Sequence, residues 1–254
     1  MLLAADVGNT QTHIGVFDDA DLVEHWRFAT EPSATADEVA VTILGLLTLR
    51  GIEPGRLESA ITSTVVPQLG PEYAGMCGRL GIGECVAVGP KVKTGMPIRV
   101  DNPHELGADR LVNAVAAYDR AGGACVAVDF GTSTNFDVVS GAGEYLGGVI
   151  GPGAEVSMQA LTERTAKLPR IELSPPERAI GKHTQAAIQS GFVHGFAGLV
   201  DGIDRRLAEE LDDNPTFIAT GGLANAIVPF CETIDEVDDL LTLTGLRLIY
   251  DRNR

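Results

Sequence analysis

Ala5-Asp6-Val7-Gly8-Asn9-Thr10, near the start of the chain, and Val128-Asp129-Phe130-Gly131-Thr132-Ser133, midway along it, are two copies of one pattern. Each copy follows an apolar run and precedes another: Ile14-Gly15-Val16-Phe17 after the first, Phe136-Asp137-Val138-Val139 after the second. Each therefore reads as strand, tight turn, strand. The Asp ends the incoming strand. The Gly turns the backbone with no Cβ in the way. The Asn, Thr and Ser that follow put amides and hydroxyls on the turn. Such a turn offers donors to phosphate oxygens and a carboxylate to a cation or its waters.

A single Asp-x-Gly-Thr turn is a common structural hairpin. Two copies, 123 positions apart and in the same strand context, point to duplicated halves facing one cleft. Phosphate-cradling hairpins on two similar halves resemble the actin-like superfamily, which includes acetate and sugar kinases and heat-shock chaperone ATPases. The expected fold class is α/β, with two duplicated actin-like (ribonuclease H-like) domains around a central nucleotide cleft.

The surrounding pattern agrees with an α/β class. Residues 2–6, 12–17 and 22–28 read as a three-stranded meander, followed by a helix over 35–50 with Val39, Ile43, Leu46 and Leu47 on one side. A buried strand over 59–65, a helix opened by Pro67 and a strand over 85–88 complete the first half. Ala121-Gly122-Gly123-Ala124 marks the expected boundary, giving domains of 1–120 and 121–254. The second half repeats the opening with strands over 125–129, 134–139 and 144–150. Helices over 153–162, 184–210 and 238–250, a loop over 167–176 and a strand over 216–220 follow.

Composition narrows the function. The chain has 254 residues, is 44% hydrophobic but only 5% aromatic, and carries a net charge of −16. That charge argues against nucleic acid or an anionic membrane surface as a partner. A nucleotide would need local screening by magnesium and a few placed donors. The cysteines, Cys77, Cys85, Cys125 and Cys231, show no Cys-x-x-Cys spacing. They read as free thiols of a reducing cytoplasm rather than a zinc site or disulfide framework. No signal peptide is evident, and the longest apolar stretches are too short to span a bilayer.

Familiar nucleotide and hydrolase signatures are missing: no phosphate-binding Gly-x-x-x-x-Gly-Lys loop, no Gly-x-Gly-x-x-Gly, no Gly-x-Ser-x-Gly, no His-Glu-x-x-His. Nucleotide binding must then run through the paired hairpins. Ile218-Ala219-Thr220-Gly221-Gly222, a strand ending in two glycines with a helix behind, suits close approach of adenosine. Asp101-Asn102-Pro103-His104-Glu105-Leu106-Gly107-Ala108-Asp109-Arg110 is the sharpest segment. Gly107 and Ala108 leave room for a ligand beside Asp109. The helix that follows, 111–117, is apolar nearly all round and should be buried. A carboxylate at its start can accept a proton from an attacking hydroxyl. The guanidinium of Arg110 can pair with a substrate carboxylate or a transferring phosphoryl group. Both residues equally suit a helix cap. His104 reads as a solvated loop histidine, and His183 as a neighbour of the site. Glycines 191, 195, 198 and 202 form one stripe on the long helix, suited to close packing inside the chain or across a dimer.

Taken together, these residues resemble the type III pantothenate kinase family over nearly the whole chain. The resemblance rests on Asp6-Val7-Gly8-Asn9-Thr10, Asp101-Asn102-Pro103, Gly107-Ala108-Asp109-Arg110, Asp129-Phe130-Gly131-Thr132 and Gly147-Gly148-Val149-Ile150-Gly151-Pro152-Gly153. Thr165-Ala166-Lys167-Leu168-Pro169, and Ser190-Gly191 with Thr184 upstream, also fit. It implies ATP-dependent phosphorylation of pantothenate to 4'-phosphopantothenate with Mg2+, in a cytoplasmic homodimer. By family pattern Asp6, Val7, Gly8, Asn9, Thr10, Gln11, Thr12, His13 and Thr132 bind ATP. Gly107, Ala108, Asp109, Arg110 and Thr184 bind pantothenate, with Asp109 as proton acceptor. Asp129 binds a monovalent cation, K+ or NH4+. Two positions depart from the pattern: Val100 where some members carry an aromatic, and Asn135 where Thr is frequent. A nucleotide-binding regulator is the rival reading.

Overall fold

A computed structural model describes residues 1–254 except Ala166, Lys167, Arg170 and Asp212. The Thr165–Pro169 segment of the family pattern and the start of the expected 167–176 loop thus lie partly outside the described residues. Among the described residues the strands form two five-stranded sheets.

The first sheet contains β1 (Leu2–Val7), β2 (Gln11–Asp18), β3 (Asp21–Ala29), β4 (Ser59–Thr64) and β5 (Glu84–Ala87), in the order β3-β2-β1-β4-β5. β1, β2 and β3 pair antiparallel, whereas β4 and β5 join parallel to β1. Two helices are packed with them, α1 (Ala36–Leu49) and α2 (Leu69–Arg79). α1 starts where Thr35 and Glu38 form a reciprocal capping box, with Thr35 N donating to Glu38 Oε2 at 2.8 Å. Its residues Val39, Ile43 and Leu47, spaced by four, are buried with Leu3, Val7, Ile14, Val16, Leu69 and Met76. Each such side chain contributes about 1.5–3 kcal/mol of burial free energy.

The second sheet contains β6 (Cys125–Phe130), β7 (Ser133–Val139), β8 (Tyr145–Pro152), β9 (Thr216–Thr220) and β10 (Glu236–Val237), in the order β10-β9-β6-β7-β8. Read from the other edge this is the first sheet again, strand for strand. The pairing senses match too: β6, β7 and β8 antiparallel, β9 and β10 parallel. The duplication therefore extends from the turn to the whole topology. Val126, Val128, Phe130 and Phe136 form its core with Phe196, Val200, Phe217 and Ile227. The remaining helices are α3 (Ala108–Ala121), α4 (Ala154–Glu163), α5 (Thr184–Leu211), α6 (Ala224–Ile227) and α7 (Leu241–Asp251).

The chain divides into two compact units, one of residues 1–96, 102–116 and 242–254, the other of 97–101 and 117–241. The sequence reading places the division at 120/121 and the last helix in the second half. In the structure α7 packs with the first unit. Thr242 Oγ1 donates to Asn113 Oδ1 at 2.7 Å, and a Cβ on Gly245 would lie 2.8 Å from Val112 Cγ1. Glycine is what lets α7 sit directly on α3. α7 also begins three residues later than the periodicity suggests. Asp238 is held by its N–H to Ala219 O at 2.8 Å, beyond the short β10 ladder, and its carboxylate accepts from Leu240 N at 2.9 Å. Within the second unit, 97–99 run alongside β8, with Arg99 N donating to Tyr145 O and Tyr145 N to Pro97 O, both at 2.8 Å.

Candidate active site

The first hairpin sits where β1 hands over to β2. Val7 pairs with Thr12, leaving Gly8, Asn9, Thr10 and Gln11 as the turn. Gly8 N donates to Gln11 O at 3.1 Å, and a Cβ at Gly8 would lie 2.8 Å from that oxygen. Only glycine closes the turn this tightly. Asn9, Thr10 and Gln11 are exposed on it, Asp6 is half-buried at its root, and Val7 is buried beneath it. Thr12 and His13 are buried. Thr12 Oγ1 bonds Thr30 Oγ1 at 2.9 Å, and His13 Nε2 lies 3.2 Å from His25 Nδ1. Burial, with the nearby charges of Arg27 and His25, pushes the His13 pKa down to about 3. Neutral His13 thus backs the turn without adding charge. Asp6 is aligned on the neighbouring strand with Ser63. The Ser63 side chain is buried, and its Oγ has no hydrogen-bond partner among the described residues. A polar atom of this kind beside a carboxylate suits a hydrated cation and phosphate oxygens.

The second hairpin is one residue shorter. Phe130 pairs with Thr134, so Gly131, Thr132 and Ser133 form the turn, closed by Gly131 N donating to Ser133 O at 3.0 Å. Thr132 is exposed, and Ser133 Oγ donates to Asn135 Oδ1 at 2.9 Å. The departure at 135 therefore anchors the turn's own serine. Two glycines press on this loop. Gly153 N donates to Thr132 O at 3.2 Å, and a Cβ there would lie 2.5 Å from Gly131 O and 2.6 Å from Thr132 C. That contact explains the last residue of the 147–153 motif. Gly221, at φ +96°, comes so close that a Cβ would overlap Asp129 Oδ1 and lie 2.7 Å from Phe130 N and C. Asp129, aligned with Thr220 on β9, thus sits half-buried in a cradle that a methyl group would fill. A half-buried carboxylate held in this way by backbone packing is a candidate ligand for a cation of modest charge. The sequence reading favours adenosine at this glycine turn; its contact with Asp129 comes from β6 and β9 being sheet neighbours whose paired residues are 91 positions apart.

Gly107, Ala108, Asp109 and Arg110 open α3. Gly107 O accepts from Leu111 N at 3.2 Å, which starts the helix. Asn102 caps the 3-10 turn before it, taking His104 N at 3.3 Å and giving Nδ2 to Glu105 Oε1 at 2.6 Å. The room that Gly107 provides is used by Asp109 itself, whose Oδ1 lies 2.5 Å from where a Cβ would be. That oxygen accepts Arg110 N at 2.8 Å. Burial raises the Asp109 pKa above the ordinary carboxylate value, against the opposing pull of the Arg110 N–H and guanidinium. A carboxylate of raised basicity is what proton abstraction near neutral pH needs. The helix behind it, 111–117, is buried throughout.

Thr184 is exposed as the first residue of α5. His183 caps that helix, its Nδ1 accepting Ala186 N at 3.3 Å and its carbonyl Ala187 N at 2.9 Å. His104 is an exposed loop residue. The glycine stripe has no intramolecular partner helix: nothing among the described residues lies within 4 Å of a Cβ built at Gly191, Gly195 or Gly198. Sequence reasoning missed Ser63 and Gly153 as supports of the two turns. Gly153 closes a motif already singled out, whereas the alignment of Ser63 with Asp6 arises only from the pairing of β4 with β1. Among the described residues no cluster of three or more His, Cys, Asp or Glu could hold a metal.

Known proteins match this chain in sequence and in fold. A family model described as type III pantothenate kinase matches residues 2–206. The type III pantothenate kinase of Anaeromyxobacter sp. (strain K) is 50% identical over 254 residues, covering 100% of both chains. Among solved structures, a putative Baf family transcriptional activator from Campylobacter jejuni superposes with a TM-score of 0.62 at 18% identity, covering 99% of this chain and 98% of its own. A putative N-acetylglucosamine kinase from Porphyromonas gingivalis does so with a TM-score of 0.56 at 13% identity, covering 100% and 99%. At those identities the two structures speak for the fold alone, an actin-like pair of duplicated α/β halves.

Proposed function

The chain belongs to the type III pantothenate kinase family, and from that premise we propose the reaction it performs and the residues that carry it. It transfers the γ-phosphoryl group of ATP to pantothenate, giving ADP and 4'-phosphopantothenate, the first committed step toward coenzyme A. Asp6, Val7, Gly8, Asn9, Thr10, Gln11, Thr12, His13 and Thr132 serve ATP. The exposed turn residues face the phosphates, while buried Thr12 and His13 hold the turn in shape. Gly107, Ala108, Arg110 and Thr184 position pantothenate, with the Arg110 guanidinium on its carboxylate.

Asp109 orients the acceptor hydroxyl and takes its proton as the oxygen attacks. Phosphoryl transfer needs little covalent help from a protein, so positioning and charge stabilisation do most of the work. A bound magnesium ion would neutralise charge developing on the phosphates. Asp6 and Ser63 are the residues suited to hold it, with phosphate and water supplying the other ligands. Asp129 would hold the monovalent cation, K+ or NH4+. The enzyme works as a cytoplasmic homodimer. No helix among the described residues is long and apolar enough to cross a membrane. The glycine stripe of α5, open in the single chain, supports an interface there.

The observation that carries this reading is Asp109, a half-buried carboxylate at the start of α3 whose desolvation raises its pKa, inside the Gly-Ala-Asp-Arg run of a chain that matches the family throughout. A nucleotide-binding regulator has no use for such a base. A coupled ADP-release assay tests it. Release should depend on pantothenate and on magnesium. No turnover with pantothenate in either potassium or ammonium buffer would favour the regulator.

A further inference from the structure

Cys77 and Cys85 are eight positions apart on different elements, the C-terminal half of α2 and the edge strand β5. The fold brings their sulfurs to 2.8 Å. A disulfide has its sulfurs about 2.05 Å apart, so less than about 1 Å of movement separates this pair from a bond. We propose that Cys77 and Cys85 form an oxidisable dithiol site, in which a hydroperoxide converts the pair to a disulfide with Cys85 as the attacking thiol.

The two sulfurs have different surroundings. Cys85 is exposed at the sheet edge, whereas Cys77 is buried in the core beside α1 and β4. The Cys77 S–H donates to Cys85 Sγ, which holds the Cys85 thiol below its ordinary pKa despite partial burial. The same contact and burial push Cys77 up. Cys125 and Cys231 lack a partner thiol, and burial raises both to about 12. Cys85 is therefore the thiol with both access and thiolate character.

The chemistry balances without a further reactant. The Cys85 thiolate attacks one oxygen of hydrogen peroxide. The O–O bond breaks, Cys85 becomes a sulfenic acid, and the departing hydroxide takes a proton to become water. The Cys77 sulfur then attacks the Cys85 sulfur and loses its proton to the hydroxyl group it displaces, releasing a second water. Two thiols are oxidised to one disulfide, and one peroxide is reduced to two waters.

The test uses the full chain with a few equivalents of hydrogen peroxide, alkylation under denaturing conditions and peptide mapping. Arg79 lies between the two cysteines, so trypsin separates them, and a Cys77–Cys85 disulfide appears as two joined peptides, 57–79 and 80–91. The expected product has lost about 2 Da and two of its alkylatable thiols. Cys77→Ser should stop the reaction at a Cys85 sulfenic acid that a cyclic diketone traps. Cys85→Ser should leave Cys77 unmodified at the same peroxide dose. The proposal is overturned if Cys85 proceeds to sulfinic acid with Cys77 still free, if Cys125 or Cys231 reacts first, or if all four thiols survive.

Discussion

Gly221→Ala probes the second hairpin through one methyl group. Gly221 has φ +96°, a conformation that residues with a Cβ rarely adopt. Holding alanine there costs about 1–3 kcal/mol. The new Cβ would also overlap Asp129 Oδ1 and lie 2.7 Å from Phe130 N and C, which are backbone and cannot swing away. Relieving such a contact costs about 1–3 kcal/mol more. The sum is about 2–6 kcal/mol, which at about 2–4 °C per kcal/mol lowers Tm by at least about 4 °C. Part of the strain should be relieved by moving Asp129, so kinase activity and its response to potassium should fall together. Gly45→Ala is the control. It makes the same change inside α1, where nothing lies within 4 Å of the new Cβ, and should be neutral or stabilise by about 0.5–1 kcal/mol. Thermal melts and ADP release on both variants decide it. A Gly221→Ala protein with parental Tm and activity would refute the cradle around Asp129.

Three further outcomes follow from other parts of the structure. Activity should rise when sodium is replaced by potassium or ammonium at constant ionic strength, and Asp129→Ala should abolish the difference; a cation-independent parent would reject that role. Asp204 is fully buried on α5, and Thr233 Oγ1 lies 2.6 Å from its Oδ2 and 3.0 Å from Asp201 Oδ1. The hydroxyl has one proton for two carboxyls, and Asp201 also accepts Glu232 N and Thr233 N, so Asp204 is the one that favours its own proton. Desolvation raises its pKa from 3.8 to about 7. The folded state therefore binds the proton more tightly than the unfolded chain. Stability from this group is full below about pH 4 and is lost as pH rises through about 7, by roughly 4 kcal/mol. Melts of the parent and Asp204→Asn from pH 5 to 8 should diverge accordingly, and parallel profiles would sink the assignment. Finally, Gly195→Leu has open space in the single chain, so it should weaken dimerisation and pantothenate binding while leaving ATP binding and monomer stability largely intact. Light scattering that finds a fully active monomeric parent would reject a dimer-built site.

The sequence carries the two hairpins and the succession of elements along the chain more clearly than the packing. Asp6-Val7-Gly8 and Asp129-Phe130-Gly131 mark equivalent turns, and both sheets are built around them in the same order. Local pattern suffices there because a tight turn and its flanking strands are contiguous. What the pattern does not carry is long-range. α7 joins the first unit because Gly245 and Thr242 meet Val112 and Asn113, more than 120 residues earlier. The two-residue β10 is too short to have a period of its own. The contact of Gly221 with Asp129 shows only once β9 is placed beside β6. The same holds for the thiols: residues 77 and 85 meet because α2 ends beside the strand that follows it, and no cysteine spacing motif announces the contact.

The measurement that bears most directly on the account is kcat of Asp109→Asn against the parent in the pantothenate-dependent ADP-release assay. Asparagine keeps the size of the side chain and its Oδ1 acceptor for Arg110 N, so the start of α3 should survive. It removes the base. Loss of a general base lowers rate by about 10²–10⁴-fold. The account predicts a loss of that size in kcat, with ATP binding and Tm near parental. Parental kcat in Asp109→Asn would contradict it and leave Asp109 as a residue that only stabilises the first turn of its helix.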